Sequence, residues 1–156
     1  MMNLQGVLAD RDSWTADSCS IAKALEIIGT RSAMLILREA LYGATRFDEF
    51  TRRVGITDAV AAARLKELTA AGIFDKVPYR EPGRRVRHEY QLTEMGRDLQ
   101  PVVLSLMQWG NRYLQPNGAP LRLTDSGSGD PIIVDVRTES GAIVEEIDVA
   151  VARRRR

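Results

Sequence analysis

Residues 45 to 96 constrain this chain more than any other stretch, because four short elements follow one another there at fixed spacing. Phe47, Phe50 and Val54 recur three and four residues apart, the period of one buried helix face, after Thr45-Arg46 opens the segment. Gly55-Ile56 supplies a turn, and Thr57 is placed to cap a second helix that carries Val60, Leu65 and Leu68 inward. Gly72 closes that helix. Two strand-like runs follow, from about Ile73 to Tyr79 and from about Val86 to Leu92, around the turn-forming and arginine-rich Arg80-Glu81-Pro82-Gly83-Arg84-Arg85. A helix, a tight turn, a helix and a basic hairpin make a winged helix-turn-helix, which sets one helix in a major groove and the hairpin on the phosphates.

Length and composition narrow the class. A chain of 156 residues, 44% hydrophobic and 28% charged, suits one packed domain with an appendage. No apolar run reaches the ~18 residues a membrane helix needs. The start Met1-Met2-Asn3-Leu4-Gln5 has neither the charge nor the apolar core of a secretory signal, so the expected location is the cytoplasm. The single cysteine, Cys19, excludes an internal disulfide and a cysteine zinc site. Net charge is only +1, but it is unevenly spread. Between Lys76 and His88 five basic residues face one acid, a local net of +4; between Thr124 and Val149 seven acids face Arg137, a local net of −6. The basic stretch is a footprint for nucleic acid, and the acidic one belongs away from phosphates.

Outside the central segment the pattern divides the chain in three. Residues 1–18 read as a loose N-terminal arm, and 19–116 as the DNA-binding domain with its dimerisation helices. In that domain, helices are expected over Ile21 to Ile28 and over Ala33 to Tyr42. Thr93 is placed to cap a long last helix bearing Leu99, Val103, Leu106, Trp109 and Tyr113, with Pro101 forcing a kink or break. Residues 117–156 read as a β-rich extension: runs at Ile132 to Val136 and Ile143 to Ile147 flank Ser140-Gly141 as a hairpin, before a basic tail from Arg153 to Arg156. The fold class expected is mainly α with a small β wing (α+β), a winged helix-turn-helix with a C-terminal β-hairpin.

An ordered set of motifs from Cys19 to Trp109 resembles the HxlR family of bacterial winged helix-turn-helix regulators. It comprises Cys19, Ile28-Gly29, Leu35-Ile36-Leu37-Arg38-Glu39, Arg46-Phe47-Asp48-Glu49-Phe50 and Gly55-Ile56-Thr57, then Arg64-Leu65-Lys66-Glu67-Leu68, Gly72-Ile73, Tyr90-Gln91-Leu92-Thr93, Gly96-Arg97, Pro101 and Trp109-Gly110. The chain departs from the family pattern at Thr30-Arg31-Ser32-Ala33, where Gly-Lys-Trp-Thr is usual, and at Ser20, where proline is usual. The resemblance implies a homodimeric repressor or activator whose first and last helices make the dimer. It also implies a sensing role for Cys19, since some relatives respond to oxidants or electrophiles through the matching cysteine.

Candidate site residues follow from these elements. The second motif helix is expected to present Thr57, Asp58, Ala61, Ala62 and Arg64 to a groove, with Lys66 nearer its end. Arg64 suits guanine and alanine methyls suit thymine methyls; the opposing reading is that the alanines are simply good helix formers and Arg64 meets a phosphate or an acidic neighbour. Arg84, Arg85 and Arg87 are expected on phosphates, with Arg85 and Arg87 on one strand face, against the alternative of a solvated edge that discourages aggregation. Thr45 and Arg46 are further phosphate candidates through side chain and backbone donors. Leu25, Leu106, Trp109 and Tyr113 are the expected dimer contacts. Cys19 reads either as a thiol activated at a helix start, giving redox or electrophile response, or as a small half-buried hydrophobe, with Asp17 beside it opposing activation.

His88 is the only histidine and has no companion ligands, and no Ser-His-Asp spacing or phosphate loop appears, so neither a cofactor, a metal nor an enzymatic activity is expected. The expected function is a transcriptional regulator binding a pseudo-palindromic operator in double-stranded DNA as a homodimer, with an oxidant or small molecule as signal. The alternative from another class is a winged-helix module that binds a protein through the same surface.

Overall fold

The structure, a computed structural model, describes residues 2–13, 19–145 and 149–152. Asp17, the Glu146-Ile147 end of the expected hairpin and the tail at 153–156 lie outside the described residues. In chain order the elements are β1 (Asn3–Leu4), α1 (Ser20–Ile28), α2 (Arg31–Leu41), α3 (Phe47–Val54), α4 (Asp58–Ala70), β2 (Phe74–Tyr79), β3 (Arg87–Leu92), α5 (Glu94–Arg97), α6 (Gln100–Tyr113) and β4 (Ala150–Val151). The fold is mainly helical, with a two-stranded antiparallel wing of β2 and β3.

Caps fix the helix starts. The hydroxyl oxygens of Thr30, Thr57 and Thr93 accept from the backbone N–H groups of Ala33, Val60 and Gly96, each satisfying a donor the helix leaves open. Gly55 stops α3 with φ +70°, a left-handed conformation that suits glycine and lets α4 leave at an angle. Gly96 has a different reason: a Cβ there would lie 2.3 Å from the Ile73 carbonyl oxygen, so only glycine lets α5 press on the start of β2. Pro101 breaks the expected long helix rather than kinking it, sitting in the first turn of α6 where its missing N–H costs nothing.

The core gathers Ile36 and Leu37 of α2, Phe50 of α3, Leu65 and Leu68 of α4, and Ile73-Phe74, all buried. Phe50, Phe74 and Tyr90 meet edge to face with ring centroids 6.1 to 6.4 Å apart, tying α3 to both wing strands. A further bond, Tyr90 N–H to Thr45 C=O at 2.7 Å, and a bridge between Arg46 and Glu89 join the segment before α3 to the wing.

Three expectations change. Val60 is 40% exposed and Ala61 fully buried, so α4 buries Ala61, Leu65 and Leu68 at i, i+4 and i+7 rather than Val60. The N-terminal arm is not loose: Gly6–Ala9 and Arg11–Ser13 form 3-10 turns, and β1 pairs in parallel with β4, Asn3 opposite Ala150 and Leu4 opposite Val151. Among the described residues the extension forms no regular two-stranded ladder of its own. The turn at Ser140-Gly141 exists, closed by Thr138 N–H to Ala142 C=O and Val144 N–H to Val136 C=O, with a single bridge, Arg137 to Ile143, among the described residues of the two runs. The extension instead lies along α6, where the Gln108 amide donates to Val134 C=O at 3.1 Å and accepts from Val134 N–H at 2.8 Å.

Candidate nucleic-acid interface

Because Ala61, Leu65 and Leu68 turn inward, the opposite face of α4 carries Ala59, Ala63, Lys66 and Ala70, all exposed, with Ala62 exposed on the flank. A face of small side chains ending in a lysine allows close approach to a groove. Ala61, expected in the groove, packs in the core with no exposed surface and cannot reach a base. Thr57 and Asp58 are exposed at the helix start, as expected. Arg64 lies on the side of the helix: its Nη1 pairs with the Glu67 carboxylate, and its Nε is buried with no hydrogen-bond partner among the described residues. Base reading by Arg64 therefore requires that the Glu67 pair open. Ala59 and Ala63 were missed; anchoring the helical wheel on Leu65 and Leu68 alone would have found them.

The wing follows α4 and packs against it through β2. Phe74 pairs with Leu92 at its base and Tyr79 with Arg87 at its tip. Arg84, Arg85 and Arg87 are all exposed. Since β3 begins at Arg87, Arg85 sits in the tip loop and strand alternation does not place it on Arg87's face. The loop is drawn together by Arg84 N–H to Glu81 C=O at 3.0 Å and Arg80 Nε to Arg84 C=O at 3.1 Å.

Arg46 and Thr45, expected on phosphate, have their backbone donors and one arm of the guanidinium already engaged. The Arg46 guanidinium donates from Nη1 to Glu81 Oε1 at 2.7 Å and stacks 4.3 Å from the centre of the Tyr79 ring, bracing the wing against the start of α3. That hydrogen bond raises the Arg46 pKa and holds the Glu81 carboxyl below the usual carboxylate range. The backbone donors of Thr45 and Arg46 both go to Glu49 Oε2 at 3.1 Å. Glu49 thus fills the anion position at the N-terminus of α3, and those two bonds, Arg46's first, lower its pKa.

This arrangement has a known counterpart: residues 27–118 match the sequence profile of the HxlR-like helix-turn-helix family. The chain belongs to the HxlR-like family. Like its relatives, this HxlR-like protein is a transcriptional regulator of helix-turn-helix type, a family of regulators rather than enzymes. It is 45% identical over 112 residues to the HTH-type transcriptional regulator Rv3095 of Mycobacterium tuberculosis (strain ATCC 25618 / H37Rv), covering 71% of this chain and 70% of the relative. Among solved structures it is similar to PA1607, described as a transcription factor, at TM-score 0.78 and 36% identity over 88% of this chain and 96% of that one. The redox regulator HypR in its reduced form matches at TM-score 0.53 and 34% identity, over 60% of this chain and 94% of that one. The PA1607 match is too long to exclude the C-terminal extension, whereas the HypR match spans little more than the winged helix. Among the described residues no helix is long and apolar enough to cross a membrane.

Proposed function

We propose that this HxlR-like protein binds a pseudo-palindromic operator as a homodimer, reading bases with the outer face of α4 and holding phosphates with the wing. The observation that carries the reading is the pairing of a small-residue helix face, Ala59, Ala63 and Lys66, with the exposed arginines 84, 85 and 87 on the adjacent hairpin. The dimer reading rests on side chains a monomer leaves in water: Leu25 of α1 is 55% exposed, and Leu106, Trp109 and Tyr113 of α6 are 54%, 55% and 59% exposed. Paired across a two-fold axis, they set two recognition helices about 34 Å apart, one turn of the duplex.

The test is a double variant, Arg85→Ala with Arg87→Ala, titrated against operator and random duplex over a range of salt. Loss of two phosphate contacts weakens both duplexes alike and lowers the salt slope by about 0.9 per contact. Wild-type affinity and salt dependence in the variant would remove the wing from the DNA. A chain that is monomeric by light scattering and shifts no duplex at low salt would instead favour a protein-binding module.

Signal input through Cys19 is the second reading, supported by the position of this half-buried thiol at the N-cap of α1 and by the similarity to the redox regulator HypR.

A further inference from the structure

α2 and α6 pack closely at Val103 and then part. Val103 is buried, while Met107 and Gly110, further along the same face of α6, are only half-buried. The gap is a cavity of about 320 Å³. Met34, Leu35, Val103 and Met107 line it together with Leu106, the side chain assigned above to the dimer, and Pro120 and Leu121 of the extension flank it. The Asn111 amide holds this stretch by donating to Leu121 C=O at 3.3 Å, and the Gln108 pair with Val134 anchors the extension beyond it. A cavity of this size and lining lies within the range of small-molecule sites.

Two features bear on what the space could hold. Gly110 sits inside α6, where alanine makes the better helix, yet a Cβ built on it meets no atom within 4 Å. The glycine therefore leaves open room that packing does not require. The cavity also has one cation, Arg38. Its Nε and Nη2 both donate to Glu39 Oε1, at 2.9 and 2.5 Å, and its Nη1 has no hydrogen-bond partner among the described residues. A guanidinium with a free donor at the wall of an apolar space matches a carboxylate.

Arg38 also leads toward the DNA-binding helices. Glu39 is buried, and its second oxygen lies 4.0 Å from Arg53 Nη1 at the end of α3. Arg53 Nη2 lies 3.7 Å from Glu49, the carboxylate that caps α3. An anion that draws on Arg38 competes with Glu39 for it and strengthens the hold of Glu39 on Arg53.

We propose that this cavity binds a compact apolar monocarboxylate, its ring or chain between α2 and α6 and its carboxylate on Arg38, and that occupancy is passed to α3 through Glu39 and Arg53. The consequence for DNA rests on the regulator reading above; the binding itself does not.

The experiment is isothermal titration of the full chain with 2-naphthoate and, as the uncharged match, 2-naphthalenemethanol. The expected result is one naphthoate per chain, bound about tenfold tighter than the alcohol, the size of one charge-assisted hydrogen bond. Arg38→Gln removes that preference, bringing the affinity for naphthoate down to that for the alcohol. Gly110→Leu projects four carbons into the space and weakens both. Should Gly110→Leu fail to fold, Gly110→Ala provides the reading, weakening both probes while raising the melting temperature. Absence of binding by either probe, equal affinities in the wild type, or undiminished binding in the filled variants would overturn the site. Undiminished binding in the filled variants would place the probe elsewhere, and no binding would show the space occupied by a second copy or too small. Naphthoate that binds in the expected pattern but leaves affinity for a shifted duplex unchanged would overturn the route through Glu39. A chain that binds naphthoate as expected and shifts no duplex would overturn the regulator reading and leave the site standing.

Discussion

The rotation of α4 can be tested by moving one substitution two residues along an alanine run. Ala61→Leu adds three carbons where Ala61 has no exposed surface and the neighbours Leu65 and Leu68 are themselves buried. Overfilling a packed core costs about 1 to 3 kcal/mol. For a chain of 156 residues, 1 kcal/mol shifts the melting temperature by roughly 2 to 4 °C, so the variant should melt roughly 2 to 12 °C lower at fixed protein concentration. Ala63→Leu puts the same carbons on the exposed face, where leucine is nearly as good a helix former and stability changes by about 0.5 kcal/mol or less. There the bulk meets the groove, and operator affinity should fall by about 1 to 3 kcal/mol, the cost of one spoiled base contact. Thermal melts by circular dichroism and DNA titration of both variants give the answer. An Ala61→Leu protein that melts like wild type but loses DNA would put Ala61 in the groove. An Ala63→Leu protein that loses several degrees and keeps its DNA affinity would show the helix turned the other way.

Three further outcomes follow from the structure. Glu49→Gln should cost about 1 kcal/mol at neutral pH by weakening the cap on α3; because the folded state lowers the Glu49 pKa, the contribution is fully present above the ordinary value of 4.5 and fades as pH falls through the depressed one. The melting difference between wild type and variant should therefore close in acid, and a pH-independent difference would refute the capping role. Truncation from Pro120 onward removes the bonds of Asn111 and Gln108 and the pairing of β1 with β4, so calorimetry should show a lower melting temperature while random-duplex binding at the wing persists; unchanged melting would make the extension an independent appendage. Peroxide or a quinone should alter operator affinity in wild type and not in Cys19→Ser, with a sulfenic acid, a mixed disulfide, an adduct or a bond to the second copy's cysteine as product, since no other cysteine exists in the chain; equal responses in both proteins would make Cys19 structural.

The local chemistry of this sequence was sufficient for the helices and the wing of its DNA-binding segment. Threonines 30, 57 and 93 cap helices and Gly55 turns the chain, because capping and turning depend on residues within a few positions of one another. Phe50, Leu65 and Leu68 were legible as core by their spacing, and the arginine-rich tip as a wing by its proline, glycine and flanking strands. The phase of α4 was legible only from its second half, where Leu65 and Leu68 stand. From Ala59 to Ala63 every side chain is alanine or valine, so the helical period has no contrast to display, and contact with α2 and α3 decides that Ala61 rather than Val60 is buried. Arg46 read as a phosphate ligand because its partner Glu81 is 35 positions away. The extension read as a hairpin from two apolar runs around Ser140-Gly141; its turn closes as such, but Val134 also bonds Gln108 on α6, a partner no local pattern announces, and β1 meets β4 from opposite ends of the chain in strands of two residues, too short to leave a pattern. The cavity beside Gly110 is the extreme case: a glycine states only that a side chain is missing, and the angle between two helices decides whether a neighbour fills the space or leaves it open.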